Sequence, residues 1–145
     1  MTLPANRKVP PLLVLVYALL DPIPYGFFVA ALIFDIVYQK TAEILWVKSA
    51  AWLLAIGLVI AIVPRIINLL VSWMPRYSAS GGVRFDFLCT GIGMVVAIIN
   101  AFVHSRDAYA VMPTGVWLSL VTVVLMAVGR ISGSLGNLKG GINDD

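Results

Sequence analysis

Few residues in this chain can do chemistry, and their spacing says more than their number. His104 is the sole histidine and Cys89 the sole cysteine. A single cysteine forms no intramolecular disulfide and supplies no cysteine-based metal site. Steps of three and four residues stay on one helix face. Read that way, the stretch containing both residues gives Asp86, Thr90, Gly93, Ala97, Asn100 and His104. A second run, Gly115, Ser119, Thr122, Met126 and Arg130, has the same spacing. Small residues let a neighbouring backbone approach, and Asn, Ser or Thr can hydrogen-bond across the contact. The stripes therefore read as the inward seam of a packed helix bundle, with a polar path or ligand site along the seam as the sharper alternative. No series of acidic residues runs between them, so a proton relay lacks its parts.

Each chemically capable residue has a plainer reading. A helix-bound haem takes two axial ligands. The facing methionine, Met126, lies at the opposite end from His104, and Met112 starts a helix beside a loop. Within one chain His104 thus has no partner for iron, and a dimer sharing two His104 residues is the remaining route. Cys89 reads as a small packing residue, because apolar surroundings disfavour a thiolate. No His/Asp or Ser/His pair stands at helical spacing. The expectation is no catalytic residue, no metal, no cofactor and no enzyme.

The elements that position these residues follow from composition. The 145 residues are 61% hydrophobic and 12% charged, with a mean hydropathy of +0.98. Soluble domains are roughly 45–50% apolar and about 25% charged. A soluble domain, a nucleic-acid partner and a disordered chain are excluded. A helix crosses a ~30 Å hydrocarbon core with about 20 apolar residues. The uncharged stretches allow four spans, about 22–39, 45–67, 86–105 and 112–130. The fold class is an all-α membrane protein, a four-helix transmembrane bundle forming a single domain over 1–131. Residues 132–145, rich in glycine and without an apolar run, read as a flexible cytoplasmic tail. Residues 10–20 are apolar but are cut off by Pro22 and Pro24, which remove backbone donors. The preferred reading is a separate interfacial helix followed by a turn at Asp21–Pro24; a single kinked helix is the alternative.

Charges mark the ends of the spans. Arg7, Lys8, Arg65, Arg76, Arg84, Arg130 and Lys139 fall on one side, and Lys40, Lys48 and Arg106 on the other, seven against three. The basic-rich side faces the cytoplasm, which places both termini there. Asp21, Arg65, Asp86 and Arg130 form one mixed-sign layer, and Asp35, Lys48, His104 and Arg106 the other. Ion pairs that lock helix ends in register are the expected role of the clusters Asp21, Arg65, Arg130 and Asp35, Lys48. A head-group or small-anion site at Arg65 and Arg130 is the functional alternative. Tyr38, Trp46 and Tyr109 fall near one boundary, Trp73 and Tyr77 near the other, and Tyr77–Gly82 reads as a flexible turn.

The segment Asp21-Pro22-Ile23-Pro24-Tyr25-Gly26-Phe27-Phe28 through Phe34-Asp35 resembles the opening of a bacterial family of four-helix inner-membrane proteins, domain of unknown function 2231. The run Ala50–Ala61 is also similar, and the resemblance covers roughly residues 20–130. It implies a multi-pass protein of the bacterial inner membrane. Pro24 and Asp35 are the matching positions. Family members commonly open with His-Pro where this chain has Asp21-Pro22, and often carry a histidine near Thr90. The redox or haem role suspected for those histidines lacks its residues here. With short loops and small-residue seams, the chain reads as a structural or accessory subunit. Its expected partners are the bilayer and other membrane subunits or further copies of itself. A homo-oligomeric pore or small-solute carrier, and a haem or quinone electron carrier, are the alternatives.

Overall fold

A computed structural model describes residues 11–72, 81–106 and 108–143. Arg7, Lys8, Trp73, Arg76 and Tyr77, used above for orientation, lie outside the described residues, as do positions 77–80 of the expected turn. The chain runs α1 (Pro11–Leu20), α2 (Pro22–Thr41), α3 (Ile44–Ser72), α4 (Gly81–His104), the single turn α5 (Ala108–Val111) and α6 (Thr114–Asn143). Four stretches are long and apolar enough to cross a bilayer: Leu15–Thr41, Ile44–Ile67, Phe85–His104 and Thr114–Leu135. This is a four-span, all-helical membrane protein.

The bundle is held by alternating small and large residues. The buried residues of α2 are Pro24, Phe28, Ala31, Asp35 and Tyr38, and those of α6 run Gly115, Ser119, Thr122, Met126, Gly129 and Gly133. Steps of four and three average 3.5 residues, the repeat that keeps one seam facing its neighbour in a helical bundle. Helix α4 packs chiefly on α6 and α2 on α3, while α2 also meets α6 and α3 meets α4. Each helix of the square thus touches two neighbours. Phe28, Ala31, Ala50, Leu54, Ala97 and Met126 form the central core. Tyr38, Val47 and Val111 form a second cluster towards the α2–α3 link. Helices α4 and α6 approach closely. A methyl group on Gly129 would stand 3.0 Å from Cys89 Cβ and 3.2 Å from the Asp86 carbonyl oxygen.

Three sequence expectations change. The N-terminal helix is not set apart by a turn. Asp21 has right-handed helical angles (φ −62°, ψ −39°), and its N–H donates to Tyr17 O at 2.9 Å. The first span runs from Leu15 to Thr41 across both helices. Pro22 and Pro24 lack the N–H groups that would bond Ala18 O and Leu20 O, so α1 and α2 are separate helices although the backbone at Asp21 stays helical. Second, the stretch 132–143 is helical, since α6 continues to Asn143. Gly133 lets that continuation pack on Asp86; a methyl group there would stand only 3.2 Å from Asp86 Cβ. Third, Lys48 does not join Asp35, because the inward face of α3 is Val47, Ala50, Leu54, Gly57, Ala61 and Pro64. Lys48 is exposed. A lysine near a span end reaches water along its own stem, so it does not mark the inner face.

At the α2–α3 link the chain reverses in two residues. Ala42 takes the left-handed conformation (φ 55°) and donates its N–H to Tyr38 O at 2.8 Å.

Candidate functional site

The buried stripes of α2, α4 and α6 bring four polar side chains together. His104 Nε2 lies 2.7 Å from Asp35 Oδ1. Ser119 Oγ donates to Asp35 Oδ2 at 2.5 Å. Asn100 Nδ2 donates to Ser119 Oγ at 2.7 Å. His104 Nδ1 lies 3.0 Å from the Asn100 carbonyl oxygen. The side chains of Asp35 and His104 are both fully removed from the surface. Glycine makes room for the ring: a methyl on Gly115 would sit 3.0 Å from His104 Cε1 and 2.6 Å from Val111 Cγ1.

The partners determine where the protons are. A carbonyl oxygen only accepts, so Nδ1 carries a hydrogen. Ser119 receives its bond from Asn100 and is free to donate to Asp35. One more proton must lie between Nε2 and Oδ1, since a bare imine nitrogen facing a carboxylate is repulsive at 2.7 Å. The pair is either a neutral acid with a neutral imidazole or a carboxylate with an imidazolium. Both have a net charge of zero, which suits a dry interior where an unpaired charge is costly.

This is not a nucleophilic triad. The serine hydroxyl points to the carboxyl and not to the imidazole, and both ring nitrogens are engaged, so no base faces Ser119. For the same reason His104 has no free nitrogen to offer iron. Asn100 Oδ1 is buried without a hydrogen-bond partner. Thr122, also buried, returns its hydroxyl to Leu118 O at 2.8 Å. No group of three or more His, Cys, Asp or Glu that could hold a metal occurs among the described residues.

The other end of the bundle holds a second cluster. Arg130 Nη2 donates to the Asp21 carbonyl oxygen at 2.6 Å and lies 3.3 Å from Asp21 Oδ2. Its guanidinium stands over the Tyr25 ring, 5.5 Å from the centroid. Arg65 Nη2 is 4.0 Å from Asp21 Oδ1, and its Nη1 is buried with no hydrogen-bond partner. Asp86 stays apart, accepting a bond from Thr90 Oγ1 at 3.2 Å.

The two layers of charge expected from the sequence thus differ in make-up. Asp21, Arg65 and Arg130 come together at one end, and Asp35 and His104 at the other. Lys48 and Arg106 are exposed and join neither. The Asp35–His104–Ser119 contacts escaped the sequence reading because the partners are 69 and 84 residues apart. The one available signal was that Asp35, in span one, and His104, in span three, fall at the same depth. No protein-family model, curated protein or solved structure matches the chain. The family resemblance therefore rests on the Asp21–Asp35 and Ala50–Ala61 stretches alone.

Proposed function

We propose that this chain is a small structural or accessory subunit of a membrane assembly, without catalysis of its own. One observation carries the reading: the polar groups deep in the bundle bond to one another, Asn100 Oδ1 excepted. Both Asp35 oxygens, both His104 nitrogens and the Ser119 hydroxyl have intramolecular partners, so they serve register and not a substrate. Interhelical hydrogen bonds of this kind fix how helices seat in a bilayer. The outer surface is apolar, with Trp52, Phe102, Tyr109 and Trp117 each more than 60% exposed, and meets lipid or neighbouring helices. The seven-to-three distribution of basic residues supports an orientation with both termini in the cytoplasm, and the family resemblance supports a bacterial inner membrane.

Native mass spectrometry of the protein released gently from its own membrane tests the reading. A foreign subunit bound in fixed ratio is the expected result. Integer multiples of 15.7 kDa alone would replace it with a self-contained homo-oligomer and favour a pore. Reporter fusions at the C-terminus test orientation, and activity of a periplasmic reporter there would reverse it.

A further inference from the structure

Asp21 is shared unequally between two arginines. Arg130 holds it twice, at Oδ2 and at the carbonyl oxygen. Arg65 stands off, with Nη2 4.0 Å from Asp21 Oδ1, which is beyond hydrogen-bond reach. Its Nη1 is buried and has no hydrogen-bond partner. A guanidinium stays protonated in a protein, so this donor has no neutral form in which to escape the cost of burial. Beside these groups the helices leave a small space, lined in part by Asp21, Ala61, Arg65, Thr90 and Arg130. The volume open to the centre of a water molecule is about 10 Å³. That is room for one water and for nothing larger.

We propose that this space is a binding site for a single water, which accepts from Arg65 Nη1 and donates to Asp21 Oδ1. A polar contact longer than about 3.5 Å is the kind that a water between the two groups closes. Buried waters make about three hydrogen bonds, and the lining supplies a third partner. Thr90 Oγ1 gives its hydrogen to Asp86 and keeps a lone pair to accept the second hydrogen of the water. One carboxylate thus serves two guanidinium groups without drawing them together, Arg130 directly and Arg65 at one remove. The water joins α3 to the residue between α1 and α2, and brings α4 into the same network through Thr90. The site is independent of the accessory-subunit reading.

A crystal structure of the full chain, at a resolution that shows ordered solvent, tests the assignment. One solvent peak is expected about 2.7–3.2 Å from both Arg65 Nη1 and Asp21 Oδ1. No peak there, or Arg65 Nη1 bonded directly to a protein oxygen, overturns the proposal. Soaking the crystals in bromide separates water from a one-atom anion: an anomalous peak at the site assigns it to halide and overturns the water. Unfolding in sodium dodecyl sulfate mixed micelles gives an independent readout. Ala61 is 4% exposed and lines the space, so Ala61→Val displaces the water and strands Arg65 Nη1. It should raise the unfolding equilibrium constant about tenfold more in the otherwise wild-type chain than in an Arg65→Met chain, which has no donor to strand. An equal effect in the two backgrounds overturns the proposal as well.

Discussion

Replacing Asp35 tests whether the central cluster works by hydrogen bonding at zero net charge. Asn has the shape of a protonated Asp. At position 35 its oxygen accepts from Ser119 Oγ, and its NH₂ donates to Nε2 of a neutral His104, keeping the bonds seen at 2.5 and 2.7 Å. Asp35→Asn should therefore change stability by less than about 1 kcal/mol, in line with the small net worth of buried ion pairs over neutral replacements. Asp35→Ala removes two interhelical bonds. At about 0.6–1.7 kcal/mol each in a membrane protein, that is a loss of roughly 1–3.5 kcal/mol before any cavity term. Reversible unfolding by sodium dodecyl sulfate in mixed micelles, followed by tryptophan fluorescence, measures both variants directly. If Asp35→Asn loses as much as Asp35→Ala, the pair works as a carboxylate with an imidazolium, and hydrogen bonding between neutral groups is refuted.

Other perturbations read other parts of the bundle. Gly115→Ala places a methyl 2.6 Å from Val111 Cγ1 and 3.0 Å from His104 Cε1. It should cost about 1–2 kcal/mol by overpacking in the same unfolding assay, and an unchanged midpoint would contradict the close approach. Ala42→Gly relieves a left-handed conformation at φ 55° and should stabilise by about 0.5–1 kcal/mol; a drop in midpoint would count against that turn. Cys89 is 8% exposed and packs beside Gly129, so a bulky maleimide should label it only once detergent unfolds the chain. Rapid labelling of the folded protein would place α4 differently.

The sequence disclosed the spans and most of the inward faces, because in a bilayer a charge or a polar residue is costly enough to mark its place. The stripe from Asp86 to His104 on α4 and that from Gly115 to Met126 on α6 are buried along their length. Where charge was a poor guide, the reading slipped. Lys48 was expected beside Asp35, yet an exposed lysine near a boundary needs no internal partner. Pro22 and Pro24 suggested a turn, yet they only interrupt the backbone ladder, and Asp21 keeps helical angles. The glycines after Ser132 suggested a loose tail, yet one of them, Gly133, lets α6 continue against Asp86. Long-range partners, such as Asp35 with His104, leave no periodic trace at all. Their pairing becomes legible only when helices of equal depth are placed side by side.

The distance along the chain between Asp35 and its partners also sets a schedule for assembly. Ser119 is made 84 residues after Asp35, and His104 69 residues after it. At about 5–20 residues per second, synthesis reaches Ser119 roughly 4–17 s after Asp35. During that interval the first span waits with its carboxyl unpaired, at a depth where an unpaired acid is disfavoured. In arrested chains ending before His104, Asp35→Asn is expected to raise the inserted fraction of the first span; no gain there would argue against the delay. The last helix to be made thus closes the latch on the first, after α2 and α3 have already packed together.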